Sequence, residues 1–155
     1  MTRTRWLDEQ EQRAWRNYIE ATTMLLDALD RQLQQDSGMP HGYYEILVRL
    51  SEADQHTMRM SDLAQATRSS RSRLSHAVAR LEERGWVRRR ECATDRRGQL
   101  AQLTASGQAE LAAAAPGHVA TVRACLIDRL SPEQVRQLGD IGAVVISALS
   151  VADTD

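Results

Sequence analysis

The 155-residue chain contains no lysine and no phenylalanine, and all 20 of its basic residues are arginine. Arginine's planar fork of donors suits phosphate and guanine, although a codon-composition bias accounts for the same inventory without any function. Two cysteines, Cys92 and Cys125, are too few and too isolated for a disulfide scaffold, which points to a reducing compartment. No apolar run approaches the roughly 18 residues of a spanning helix, and none follows the opening Met-Thr-Arg-Thr-Arg-Trp, so a cytoplasmic protein with no membrane partner is expected. Charge of either sign is scarcely in excess: 20 arginines against 21 acids leave −1, which taken alone argues against a nucleic-acid partner. Catalytic motifs are missing too. The four histidines (His41, His56, His76 and His118) lack metal-ligand spacing, and there is no nucleophile elbow, phosphate loop or zinc-spaced cysteine pair. Ser75 and His76 are adjacent on a helix, where side chains point apart. No enzyme, cofactor, metal or catalytic residue is expected.

What remains is an ordinary folded composition, 42% apolar and 26% charged, at the length of one domain. Residues 8–36 read as a helix in which Trp15, Tyr18, Ile19, Leu25, Leu26, Leu29 and Leu33 recur at helical steps. Ser37-Gly38-Met39-Pro40 stops it, and a shorter helix over 42–53 buries Tyr44, Leu47, Val48 and Leu50. Met58-Arg59-Met60 reads as an edge strand. Ser61 caps a short helix over 62–66, and Ser69 or Ser70 caps a second running to about Arg84 with Leu74, Ala77, Val78 and Leu81 inward. Two short helices joined by a tight polar turn form a helix-turn-helix. The period then falls toward two in 86–92 and 99–103, two strands around the polar tip 93–98. Thr104 opens an Ala-rich helix that Pro116-Gly117 should kink or break. Ser131-Pro132-Glu133-Gln134 starts the last helix, with Val135, Leu138, Ile141, Val145 and Leu149 as its stripe.

The expected fold is mainly α with a small β-wing: one domain, 1–155, in which a winged helix-turn-helix (42–103, wing about 86–103) is flanked by dimerisation helices at 8–36 and 104–150. The flanking stripes have little in one chain to cover, so pairing of two copies is expected, with a monomer whose end helices fold back as the alternative. Charge is segregated along this layout. Residues 59–97 hold 11 arginines and five acids, an excess of six positive charges, whereas the remainder holds nine arginines and 16 acids. A cationic reading head on an acidic frame makes nucleic acid an expected partner despite the near-zero net charge.

Leu63-Ala64, Ser69 to Leu81 and Glu82-Glu83-Arg84-Gly85-Trp86-Val87-Arg88-Arg89 resemble the helix-turn-helix of the MarR (multiple antibiotic resistance) regulators. Asp95-Arg96-Arg97, followed by Leu103-Thr104 and Gly107, is similar to that family's Asp-x-Arg and Leu-Thr-x-x-Gly signature, and Trp86 departs from its usual Leu. The resemblance implies a homodimeric winged-helix transcriptional regulator, most often a repressor, on palindromic double-stranded DNA and governed by a small-molecule effector. A recognition helix enters the major groove by its N-terminal half, which here carries Ser70, Arg71, Arg73, Ser75 and His76 as base-reading candidates; a merely solvated polar face is the bland alternative. By resemblance, Arg97 enters the minor groove from the wing and Asp95 braces it. Ser69, Arg88, Arg90 and Arg96 are candidates for phosphate. The family's effector crevice implies Trp15, Tyr18, His41, Tyr44 and Arg59 as lining candidates. Cys92, near Arg88, Arg90 and Arg96, would be a redox sensor only if exposed, and Cys125 is expected in the core. The rival function is a protein-binding winged-helix adaptor, which leaves the arginine-rich face unexplained.

Overall fold

The first helix begins where its cap residues place it. In a computed structural model, Glu11 N–H donates to Asp8 Oδ1 at 2.8 Å and Asp8 N–H donates to Glu11 Oε2 at 2.9 Å. This reciprocal capping box opens α1, Glu9–Ser37. Gly38 closes it in the left-handed conformation, φ 60°, which a Cβ would resist. The structure describes residues 4–92 and 95–152, with side chains at all of these except 95–97, 151 and 152. Among the described residues, no helix is long and apolar enough to cross a membrane.

Helix α2, His41–Glu52, buries Tyr44, Ile46, Leu47 and Leu50. Ile46 thus takes an inner place that the sequence assigns to Val48, which sits at the edge of the core. After a 3-10 turn, strand β1 (Thr57–Arg59) leads directly into α3, Met60–Ala66. Ser61 is not its cap. The helix starts two residues earlier, at Met60, and the Ser61 hydroxyl donates to Asp62 Oδ1 at 3.0 Å. Helix α4 spans Arg71–Glu83, strand β2 Val87–Cys92 and strand β3 Asp95–Leu103. The antiparallel sheet has the order β1-β3-β2, so β1 is the edge strand expected near Met58. Its register pairs Val87 with Leu103 and Arg89 with Ala101. β3 starts earlier than the sequence indicates, taking up positions 95–98 of the expected hairpin tip; residues 93 and 94 lie outside the described residues.

One core joins these elements: Leu33, Leu47, Leu50, Leu63, Leu74, Val78, Leu81 and Val87 are all fully or almost fully buried. Each such leucine contributes roughly 1.5–3 kcal/mol by leaving water. The Leu-Thr-x-x-Gly run is the splice to α5, Ala105–Cys125. Thr104 Oγ1 donates to the Gly85 carbonyl at 2.6 Å and accepts Gly107 N–H at 3.0 Å, while Thr104 N–H reaches the Trp86 carbonyl at 3.0 Å. A Cβ on Gly107 would overlap the Trp86 carbonyl oxygen. Trp86 itself packs on the core with the Arg84 guanidinium over its ring at 4.8 Å, so replacement of the usual Leu is accommodated.

Helix α5 is not broken at Pro116, contrary to the sequence expectation. Proline forgoes one backbone bond there, and Gly117, the next residue, lies close beside Gln32 and Asp36 of α1. The chain divides into two compact units, one ending at His118 and the other beginning at Val119. In the second, a 3-10 turn (Ile127–Arg129) precedes α6, Pro132–Ala152. Gln134 N–H donates to Ser131 Oγ at 3.2 Å and Ser131 N–H to Gln134 Oε1 at 2.9 Å, the capping box read from the sequence. Ile141, Val144, Val145, Ile146 and Leu149 of α6 are exposed in the single chain. Cys92 is buried, at the slip in register after Glu91, which does not suit an exposed sensor, and Cys125, expected in the core, is exposed.

Candidate nucleic-acid interface

Helix α4 is held by its inner face and presents its start to solvent. The turn before it is compact: Thr67 N–H and Oγ1 both donate to the Leu63 carbonyl, Ser69 N–H donates to Ala64 O at 2.9 Å, and Arg68 takes a positive φ of 51°. Ser70 Oγ then accepts Arg73 N–H at 3.2 Å, so Ser70 rather than Ser69 is the cap. Ser69 is half-buried, its hydroxyl 3.4 Å from the Thr67 carbonyl, and its side chain belongs to the turn.

With Leu74, Val78 and Leu81 inward, Ser70, Arg71, Arg73, Ser75 and His76 are all exposed on the first half of the helix. At about 100° per residue they divide into flanks. Arg71 and Ser75 face one side, Arg73 the other, and His76 points nearly away from Leu74. Ser72, also exposed and between the flanks, was missed by sequence reading. Its signal was available, since the same helical spacing that selects Leu74 and Val78 as inner places Ser72 on the outward side, beside His76. No acid occurs on α4 before Glu82. On the Arg71 flank lies a cleft of about 400 Å³ against β3, with Arg59, Ser61, Arg71, Ser75 and Gln99 on its walls.

The wing separates residues that the sequence grouped. Arg88 Nε donates to Gln102 Oε1 at 2.8 Å, and Arg90 Nη1 approaches the same atom at 3.3 Å. Pleating puts these two exposed arginines on one face of the hairpin and Arg89 on the other. Arg89 is the one that reaches α4: its Nη2 donates to the Ser75 carbonyl at 2.6 Å. The side chains of Asp95, Arg96 and Arg97 lie outside the described residues.

The proposed effector residues do not converge within one chain. Trp15 and Tyr18 are exposed on α1. His41 N–H is bonded to Asp30 Oδ1 at 2.8 Å, which lies about 22 Å along the helix axis from Trp15. Arg59 is in the cleft beside α4. His41 and Tyr44 do share a neighbour that sequence reading left unassigned: the His118 ring lies 4.4 Å from Tyr44 and 5.8 Å from His41. Burial, helped by the facing His41, holds the His118 pKa below its ordinary value, and burial raises that of the Tyr44 phenol. Among the described residues, no group of three or more His, Cys, Asp or Glu side chains is placed to hold a metal.

A helix-turn-helix followed by a β-hairpin wing, which pairs with β1 in a three-stranded sheet, defines a winged-helix protein. The profile of the MarR family matches residues 37–98. The transcriptional repressor MprA of Escherichia coli K12 is 30% identical over 84% of this chain and 73% of its own length. The repressor YetL of Bacillus subtilis is 28% identical, and this chain spans 64% of it. Sco3205, a MarR family transcriptional regulator from Streptomyces coelicolor solved in complex with DNA, superposes with a TM-score of 0.92 at 54% identity, covering 95% of this chain and 92% of that one. The chain belongs to the MarR family, a family of transcriptional regulators and not of enzymes.

Proposed function

We propose that this protein is a transcriptional repressor that binds a palindromic operator as a homodimer, with α4 in the major groove and the wing at the minor groove. The observation that carries the reading is the acid-free, exposed first half of α4, in a chain 54% identical to a regulator solved in complex with DNA. Arg71 and Arg73 are suited to bidentate bonds with guanine, while Ser72, Ser75 and His76 reach bases or phosphates between them. Arg97 enters the minor groove, where negative potential is concentrated over A·T-rich sequence, Asp95 braces it, and Arg96 contacts phosphate. Arg88 and Arg90, on the other face of the hairpin, are placed for phosphate only where DNA bends round the wing.

In this reading residues 42–103 read the DNA, and 8–36 with 104–150 pair the subunits. A small molecule modulates the binding, with His41, Tyr44 and His118 as its nearest lining and Trp15 and Tyr18 contributing only across a dimer. The test is a mobility shift on DNA upstream of the gene at two salt concentrations. Log affinity should fall steeply with log salt as counterions are released; absence of binding at low salt defeats the reading. Arg97→Ala should weaken operator binding markedly, and unchanged affinity at physiological salt removes the wing from the interface.

A further inference from the structure

One arginine of the wing takes no part in the proposed DNA contacts. Arg89 lies between exposed Arg88 and Arg90, yet its side chain is only 27% exposed. Its Nη2 donates to the Ser75 carbonyl at 2.6 Å and approaches Ser75 Oγ at 3.3 Å. Its Nε stands 3.4 Å from Glu82 Oε2, an ion-pair contact whose angle falls short of a hydrogen bond. Its own backbone N–H donates to Glu82 Oε1 at 2.8 Å. Ser75 and Glu82 are two turns apart on α4, so one residue of β2 fastens the helix at both its reading half and its last turn.

We infer that Arg89 is a positioning residue for sequence recognition: it fixes the rotation of α4 relative to the wing and makes no contact with DNA. Its Nη2 is bonded to the helix and its Nε lies beside Glu82, whereas a phosphate contact needs the guanidinium turned outward. Base-reading side chains tolerate only about 10–20° of misorientation, and a guanidinium bridging two points of one helix limits turning about its axis. A lysine cannot replace this, since a point charge does not hold a carbonyl and a carboxylate in one plane. The inference rests on the DNA-binding reading of α4.

The test uses the full-length protein, an operator duplex enriched from a random library by the wild type, and a scrambled duplex of equal composition. Arg89→Ala should bind the operator on the order of tenfold more weakly while binding the scrambled duplex within about twofold of wild type. Its slope of log affinity against log salt should match wild type, because no phosphate contact is lost. Arg89→Lys should recover only part of the operator affinity. Equal losses on both duplexes with a slope reduced by about one, full recovery by Lys, or no loss on either duplex would each overturn the inference. If Arg89→Ala does not fold, Glu82→Gln carries the test: it should show a smaller operator-only loss, and its absence counts against the proposal. Failure of the wild type to enrich any sequence would instead remove the DNA-binding reading, and this inference with it.

Discussion

At Gly107 a single hydrogen atom decides whether the wing can meet α5. The Trp86 carbonyl occupies the space a side chain would need, and the Thr104 hydroxyl ties both sides of the contact. Gly107→Ala should therefore destabilise the fold by about 3 kcal/mol, at the upper end for overpacking, read as a lower denaturant midpoint; a midpoint within error of wild type would contradict the contact. Arg73 gives a functional counterpart. If it reads a base, Arg73→Ala should cost roughly 1–3 kcal/mol on operator alone; an equal cost on random DNA would make it a phosphate contact. His118 supplies a pH dependence. Its imidazole is harder to protonate in the fold than in the unfolded chain, where its pKa is about 6.5. The unfolded chain therefore takes up the proton first as pH falls. Stability is full above that value and is lost below it, until the folded pKa is also passed. The melting temperature of His118→Phe should fall less between pH 7.5 and about 5.5 than that of wild type; parallel curves would contradict this. Polarity and helical spacing picked out Ser70, Arg71, Arg73, Ser75 and His76 as exposed but passed over Ser72. Arg89 was not legible, because three consecutive arginines look alike until the pleat assigns one to the helix.

Helix starts were readable wherever the cap is a local device. Asp8 with Glu11, Ser70 with Arg73, and Ser131 with Gln134 all satisfy their own backbone within three residues. Ser70→Ala should cost about 1 kcal/mol of stability, measured by chemical denaturation, and an unchanged stability would mean that water replaces the bond freely. The sequence misleads where tertiary packing overrides a local signal. Pro116 should kink or break a helix, yet α5 runs through it unbroken beside Gln32 and Asp36. Ser61 has cap chemistry, but the strand pairing of Thr57–Arg59 delivers the chain to α3 two residues early. Cys92 was hidden for a related reason: alternation in β2 is lost after Glu91, and nothing local reports that slip.

Across the whole molecule, the near-zero net charge averages an arginine-rich reading head and an acidic remainder. The acidic part would repel DNA and disfavour wrong docking poses. Large apolar side chains remain exposed in the single chain, among them Trp15 and Tyr18 on α1 and Ile141, Val145 and Leu149 on α6. Patches of this kind mark association surfaces, and a second copy is the occupant we propose. Val145→Glu should shift the protein from dimer to monomer in light scattering; an unchanged mass would remove α6 from the interface. Two paired reading heads fix the spacing of what they read, about 34 Å or one turn of DNA between half-sites. The most direct measurement is a hydroxyl-radical footprint of the wild-type protein on its enriched operator. Two protected half-sites of a palindrome, one helical turn apart, are predicted; protection of a single half-site, or of none, would contradict a dimeric DNA-reading regulator.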